Sequence, residues 1–382
     1  MTGLTSAAVS HANLEPPAAY DARSVGMGST GVAYAHNGSA LYHNPAAMQG
    51  IEQGAITLAF SPFLPQLTTP LAGPNTEVKS QRSFFPMFLI GGAYRVNQQL
   101  TLGIAAFPTM GLGARYENVA AMGGATLDAK LAAIEVAPGV AYALTDYLAL
   151  GATYRMTYMS YALETPAPVP TKIDLSGWSF LGVQLGIFAR ASKTTRLGLT
   201  YRNKVPVTMS GKTDMPGQSI DSKLEFAAPH IFKLGVAQGL LDDRLLLALD
   251  FKLSLYHESS KELALKTDAG APMSTQTLAW KNTMGVYAGG EYRLAPEGPA
   301  VRLGYGLAQS ATPNAYAQPI LPPPGLLHSL HAGVGISVSK VDVDLGGYYV
   351  FGGREIQPQA PNAPGNYSMN GALFSVSATY RL

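Results

Sequence analysis

The sequence predicts an all-β chain, a transmembrane antiparallel β-barrel of about fourteen strands with an N-terminal plug (hatch) in its lumen. Three observations carry the barrel. The 382-residue chain alternates apolar and polar residues right up to its last position. Its charged residues are 13% of the total, about half the ~25% of an ordinary soluble domain. Its alternating segments are long enough to cross a bilayer, yet no predominantly apolar run is long enough for a transmembrane helix.

The final run is Phe374-Ser-Val376-Ser-Ala378-Thr-Tyr380-Arg-Leu382. Side chains repeat every second residue along a strand, so Phe374, Val376, Ala378, Tyr380 and Leu382 share one face. Ser375, Ser377, Thr379 and Arg381 share the other. A strand that ends at the chain terminus, with an aromatic two places before an apolar residue, is similar to the closing strand of a bacterial outer-membrane barrel.

Composition agrees. Hydrophobic residues are 47%, but mean hydropathy is only +0.10, so the apolar residues are dispersed and interleaved with polar ones. A lipid-facing barrel needs that pattern, with one face of each strand apolar and the other polar. The 20 Tyr suit the aromatic girdles at the two membrane surfaces. With no Cys, disulfides and thiolate metal sites are excluded. A net charge of +2 gives no argument for nucleic acid as a partner.

Fourteen segments alternate, at about 52–62, 83–96, 99–112, 131–144, 147–162, 175–190, 195–211, 223–238, 245–258, 277–294, 300–310, 327–339, 341–353 and 368–382. In Leu245–Tyr256 the odd positions from Leu245 to Leu255 are all Leu or Phe. The even positions include Asp250 and Lys252, which must face a polar lumen. Arg155 occupies the equivalent place in Leu148–Tyr158. The connections alternate between short ones, such as Asn97-Gln98, Thr145-Asp146 and Ser339-Lys340, and long ones, such as 63–82, 113–130, 259–276, 312–326 and 354–367. Short turns belong on the periplasmic side and long loops outside. Both barrel ends then lie on the periplasmic side.

The start of the chain is different. Residues 1–12 are small and polar, and read as a signal-peptide remnant or a disordered leader, with Ser10-His11-Ala12 as a cleavage site. Residues 13–50 are rich in Ala, Gly, Ser and Asn with little alternation, and read as the plug. Residues 51–382 read as the barrel. A wall of fourteen strands encloses more space than its own side chains fill, which leaves room for such a segment. Pro45 fixes its own φ and biases Asn44 to extended geometry, so Asn-Pro makes a stiff corner.

The chain resembles the FadL/TodX-type outer-membrane transporters of long-chain fatty acids and other hydrophobic compounds. The resemblance rests on Ser24-Val-Gly-Met-Gly-Ser-Thr-Gly-Val-Ala-Tyr-Ala and Ser39-Ala-Leu-Tyr-His-Asn44-Pro45-Ala46. It continues through Val136-Ala-Pro138-Gly-Val-Ala-Tyr142, Thr195-Arg-Leu-Gly198-Leu-Thr-Tyr201-Arg202, Gly290-Glu291-Tyr292 and Val301-Arg-Leu-Gly304-Tyr305. Ala47 and the short, Pro-rich stretch at 162–174 depart from the family pattern. The resemblance implies a monomer in the outer membrane of a Gram-negative-type bacterium, in contact with outer-membrane lipids. It implies uptake of a hydrophobic small molecule, a fatty acid or hydrocarbon, without a cofactor. Met27, Tyr34, Asn44, Pro45 and Ala46 then belong to the plug.

Two expected loops are unusually apolar, 61–71 and 315–327. From these and their surroundings Phe60, Phe63, Leu64, Leu67, Met110, Tyr316, Ile320 and Leu321 are candidate ligand contacts. A capture groove and a self-packed loop core use the same residue types, so both readings are open. Pro108, Gly111 and Gly113 interrupt the third segment. The resemblance implies a kink there that opens the wall laterally; an ordinary strand end near Pro108 is the alternative. No Gly-x-Ser-x-Gly, His-Glu-x-x-His or P-loop is present, so an enzyme is not expected. His328 and His331 read as girdle or loop residues, not metal ligands. Glu135, Arg155, Arg202 and Glu291 read as one buried polar network or as a carboxylate site. The competing function is a non-transport barrel, either structural or adhesive or a lipid-modifying enzyme.

Overall fold

Strand alternation and closure dominate the architecture. The computed structural model describes residues 20–119, 123–166, 169–295, 298–358 and 363–382. The expected leader at 1–12 and residues 13–19 of the expected plug lie outside the described residues.

Nineteen strand segments form one antiparallel sheet. They begin with β1 (Gly54–Thr69), β2 (Val78–Lys79), β3 (Phe85–Arg95), β4 (Leu100–Val119), β5 (Ala125–Thr145), β6 (Leu148–Thr165) and β7 (Thr171–Arg190). There follow β8 (Thr195–Arg202), β9 (Val205–Met215), β10 (Gln218–Ala228), β11 (His230–Leu240), β12 (Leu245–Leu255), β13 (Glu262–Thr267), β14 (Pro272–Thr277) and β15 (Thr283–Arg293). The last are β16 (Ala300–Gln309), β17 (Leu326–Val338), β18 (Val341–Ile356) and β19 (Gly365–Arg381). β1 pairs with β19 from Ala55↔Arg381 to Thr68↔Ser368, which closes the wall and leaves no free edge. The pairs β8/β9, β10/β11, β12/β13 and β14/β15 are each one interrupted wall strand, and β2 is a two-residue extra. The barrel therefore has fourteen staves, as the alternation predicts.

The faces follow from the same alternation. On β12, Leu247 and Leu249 are exposed while Leu246, Ala248, Asp250, Lys252 and Ser254 are buried. On β19, Phe374, Val376 and Tyr380 are exposed and Ser375, Ser377 and Thr379 buried. Apolar outside and polar inside is the pattern of a wall in lipid.

Above this belt the pattern reverses. Leu197 and Leu199 on β8 face outward, but Val205, Val207 and Met209 on β9 are buried inside although they keep odd numbering. The interruption at Asn203-Lys204 turns the chain over. Pro229 between β10 and β11 does the same, as do residues 256–261 and 278–282 in the next two staves. On β4 and β7 a β-bulge has this effect, at Thr109 and at Phe180-Leu181. The physical reason is the change of solvent. Below the flip the outer face meets lipid; above it the outer face meets water, and the apolar residues turn inward.

This reversal corrects several expected boundaries. The stretches 63–69, 113–119, 125–130 and the hairpin β13–β14 were expected as loops but continue the ladder. The third segment does not end near Pro108; β4 runs on to Val119. Strands β4 to β7 contain 20, 21, 18 and 20 residues, about twice the ~9–11 that cross a bilayer, so their upper halves stand above it.

Residues 20–51 lie against the inner wall. They form α1 (Ala22–Gly26), α2 (Ala40–His43) and a 3-10 turn at Pro45–Gly50. Asp21 caps α1 by accepting from the Ser24 amide at 3.0 Å. The wall meets this segment through glycine. Gly103↔Gly139, Gly151↔Gly186, Gly198↔Gly235, Gly289↔Gly304 and Gly333↔Gly346 are cross-strand neighbours. A Cβ on any of the ten would collide with an atom of residues 22–48, such as Ala46 backbone at Gly151 or Met27 backbone at Gly289. Small wall residues let backbone pack directly on backbone.

Candidate functional site

The lumen above residues 20–51 is apolar on two sides. One cluster joins Tyr20, Tyr42, Phe63, Met87, Leu89, Phe107, Tyr348 and Val350. The other joins Met110, Leu131, Met159, Leu175, Val205, Val207, Met209, Phe226, Tyr256, Trp280 and Leu321. Within the second is a narrow pocket lined by Gly113, Leu131, Tyr161, Phe226, Leu263, Trp280, Ile320 and Leu321 among others. The loop at 310–325 folds over this space. Tyr116 donates its hydroxyl to the Pro319 carbonyl at 2.7 Å, and Ser310 donates to Pro323 O at 2.7 Å.

The candidate ligand residues divide accordingly. Ile320 and Leu321 line the cavity and Met110 belongs to its cluster. Phe63 is buried in the first cluster, 5.9 Å from the Tyr348 ring. Leu67 packs with Tyr116 in a smaller cluster. Tyr316 sits half-buried in a 3-10 turn of the covering loop. Phe60 and Leu64 are corrections: β1 continues through them as strand, and its period puts both on the outer face, with Phe60 47% exposed. Leu131, Tyr161, Phe226 and Trp280 are the lining residues that sequence reasoning missed. Their signal was apolar alternation next to polar outward neighbours, which marks a strand standing in water.

Beside Pro108 the wall is discontinuous. β3 pairs with β4 only from Arg95↔Thr101 to Ile90↔Ala106. Contact returns at the same register higher up, where the Gln81 amide donates to Arg115 O at 2.7 Å. Pro86 and Pro108 flank the stretch between and have no N–H to give to a ladder. Gly111 faces Phe85 there: a Cβ would lie 3.2 Å from the ring. Gly113 instead abuts β5 backbone at Ala129 and Lys130.

Below the apolar space the contacts are polar. Asn44 is extended, at φ −160° and ψ 107°. Its Oδ1 accepts from the Ala46 amide at 3.1 Å, and its Nδ2 donates to Val32 O at 3.0 Å and to Ile187 O of the wall at 2.9 Å. Pro45 and Ala46 press on Gly151 and Gly186. Met27 and Tyr34 are fully buried against Ala237, Leu246 and Ala248. Asp250 Oδ2 accepts from the Gly31 and Val32 amides at 2.8 and 3.1 Å. A small polar pocket beside it is lined by Ser29, Tyr42, His43, Lys233, Asp250, Lys252 and Tyr287 among others. Lys233 Nζ lies 4.2 Å from the centre of the Tyr42 ring.

The expected four-residue network is two. Glu135 accepts from Arg155 through Nη2 at 2.6 Å and Nε at 3.1 Å, and from Arg202 Nη2 at 2.6 Å. Glu291 belongs to a second cluster, accepting from Arg23 Nε at 2.8 Å and Arg302 Nε at 2.7 Å; Arg302 also pairs with Asp344 at 2.7 Å. Cross-strand placement separates them: Glu135 is on β5 and Glu291 on β15.

His331 is also corrected. It faces inward, not into a girdle. Its Nδ1 is 2.8 Å from Val25 O, so Nδ1 carries the proton and Nε2 accepts from Ser329 at 2.8 Å. His328 does sit in an outer aromatic group, between Tyr305 and Phe351. Among the described residues no cluster of three or more metal-ligating side chains occurs.

The family model described as outer membrane protein transport protein (OMPP1/FadL/TodX) matches residues 8–382. The chain belongs to the FadL/TodX family. Members are channels for hydrophobic compounds in the outer membrane and are not enzymes, which sets the lipid-modifying alternative aside. The fold matches solved structures at low identity. A Pseudomonas aeruginosa FadL homologue is 17% identical over 95% of this chain and 98% of its own, with a TM-score of 0.80. The Ralstonia pickettii toluene transporter TbuX is 17% identical over 97% and 99%, TM-score 0.74. The P. putida toluene transporter TodX is 16% identical over 97% and 99%, TM-score 0.73. No curated protein matches the chain by sequence.

Proposed function

We propose that this FadL/TodX-family channel takes up long-chain fatty acids as a monomer, with residues 13–50 acting as its plug. The observation that carries the reading is the vertical order of the lumen. A cavity lined by Leu, Phe and Trp lies above cationic side chains, Arg155, Arg202, Lys233 and Lys252. An apolar tail above and a carboxylate below fit that order. Beneath residues 20–51 is a polar vestibule lined by Arg23, Arg293, Arg302, Asp342 and Asp344 among others. An apolar solute gains nothing by entering it. Lateral exit through the β3/β4 discontinuity past Phe85 and Gly111 avoids that cost, with Pro108 setting the break.

A second reading is a small aromatic hydrocarbon. The aromatic lining, Tyr161, Phe226 and Trp280, favours it, and two of the structurally similar proteins are described as toluene transporters. The test is uptake of labelled oleate and labelled toluene by Gram-negative cells that lack their own channels for these compounds and express this one. Oleate uptake that toluene does not compete supports the fatty-acid reading; toluene uptake alone refutes it. Gly111→Trp, which would wedge against Phe85, should lower uptake at least tenfold. Unchanged uptake in that variant would refute the lateral exit.

A further inference from the structure

A second break in the wall lies four staves round the barrel from the first. β7 pairs with β9 from Lys172↔Asp214 to Ser176↔Ser210 and with β8 from Gln184↔Arg202 onward. The two stretches keep one register, so Gly177 to Val183 face Met209 to Asn203 without ladder pairing between the two limits. Pro206 stands in the middle and has no N–H to donate. Asn203 clasps the lower margin. Its amide nitrogen donates to Val183 O at 3.1 Å, its Oδ1 accepts from the Val183 amide at 2.6 Å, and its Nδ2 donates to Leu181 O at 2.8 Å.

The neighbouring interrupted staves also lose pairing at this height, so interruption alone assigns nothing. What differs is the outer face. At the interruptions at 256–261 and 278–282 the exposed residues are polar, His257, Glu258, Lys261, Lys281 and Asn282, and at Pro229 none of residues 228–230 is exposed. Here Trp178, Phe180 and Leu181 are 53%, 54% and 64% exposed. The bulge opposite Arg155 and Thr157 turns Phe180 and Leu181 outward together. Phe180 lies ten residues above Arg190, near the outer surface of a bilayer that ~9–11 tilted residues cross. The inner side of the same stretch is the apolar cluster that holds Leu175, Val205, Val207 and Met209. The Ser179 hydroxyl, buried at the break, has no partner among the described residues.

We propose that the β7/β9 break is a second lateral portal, through which apolar solute dissolved in the outer leaflet enters the upper chamber. Trp178, Phe180 and Leu181 form its lipid-side lip, and Asn203 is the clasp that keeps it shut at rest. The portal rests on the channel reading above, whose own exit is the β3/β4 discontinuity four staves away.

The chain has no cysteine, so introduced thiols are the only ones. Ser179→Cys with Val207→Cys places two thiols opposite each other in register across the break. The purified channel is reconstituted in vesicles with a lipopolysaccharide outer leaflet, which slows unaided crossing, and these are loaded with oleate or toluene as probe. Release is measured before treatment, after bridging with a short bis-thiosulfonate, and after reduction. The same protein is compared in all three states, so misfolding cannot produce the pattern. The portal predicts at least a fivefold fall on bridging and full recovery on reduction. A control pair on intact ladder, Ala248→Cys with Ala237→Cys, should show no change. Equal release in bridged and reduced Ser179→Cys/Val207→Cys protein would overturn the portal while leaving the channel standing. No release above empty vesicles in any state would overturn the channel reading, and the portal with it. A clasp role for Asn203 predicts that Asn203→Ala raises the rate at which a membrane-dissolved pyrene maleimide labels Val207→Cys. An unchanged labelling rate would overturn that role.

Discussion

Glu135 offers the sharpest test of the lumen electrostatics. Its carboxylate is 1% exposed and accepts from two guanidiniums, themselves 4% and 3% exposed. Removing one partner of a buried pair leaves an uncompensated charge and costs ~3–5 kcal/mol. Glu135→Gln leaves two like charges facing each other, so the upper end applies. The expected loss is about 5 kcal/mol, more than a thousandfold in the unfolding equilibrium. Urea unfolding from phospholipid vesicles reads this through the fluorescence of Trp178 and Trp280. The triple variant Glu135→Gln, Arg155→Met, Arg202→Met removes the whole charged group. It should return to within about 2 kcal/mol of the parent, because a buried ionic cluster replaced by well-packed neutral residues is often close to neutral. A Glu135→Gln loss below about 1 kcal/mol, or a triple variant worse than the single one, would show that the cluster is solvated and would refute the argument.

Three further outcomes follow from the faces and the seat of the N-terminal segment. Leu249→Arg, exposed in the lipid belt, should cost about 2–4 kcal/mol in the same unfolding assay, whereas Thr208→Arg, outward above the flip, should cost less than about 0.5. Asn44→Ala removes three hydrogen bonds, one within the corner and two that hold it to Val32 and the wall, and should raise single-channel conductance in planar bilayers, with deletion of 13–43 raising it further. His36, beside Ala47 O and the Phe188 ring, has its pKa pushed down to about 4, with burial as the main cause. Its neutral form is the one the folded state favours, so its contribution is complete above pH 6.5 and is lost as the pH falls through about 4. Conductance should therefore rise between pH 6.5 and 4, and this rise should be smaller in His36→Phe.

Much of the barrel was legible because period two holds within each uninterrupted stretch of strand in the lipid belt. Leu247 and Leu249 against Asp250 and Lys252 fix inside and outside without any knowledge of neighbours. Asn44-Pro45 was legible for a local reason, since proline constrains both residues. The second network was not separable from the first, because sequence shows that Glu135 and Glu291 are inward but not how far apart β5 and β15 stand around the ring. Phe60 was misplaced for the opposite reason: an apolar residue near an expected loop looks like a ligand contact until the strand is known to continue through Leu64 and Leu67.

The apolar upper chamber was the hardest part to read, and the reason is physical. A residue's face depends on parity, and parity is conserved along an uninterrupted strand. Leu197, Leu199, Tyr201, Val205, Val207 and Met209 share parity, so the rule assigns all of them to lipid. The structure turns the last three inward by spending Asn203 and Lys204 on a break. The polarity of the even positions reports this reversal. Thr200 and Arg202 are inward and polar, while Thr208, Ser210 and Lys212 are outward and polar. Both sets are polar, but only the second is bathed in water. A barrel that merely spanned the membrane would have no use for this inversion. A barrel that extends a cup above the membrane and lines it with Val, Met, Phe and Trp presents an apolar interior to the external solution, where a hydrophobic compound can leave water before it meets any lipid.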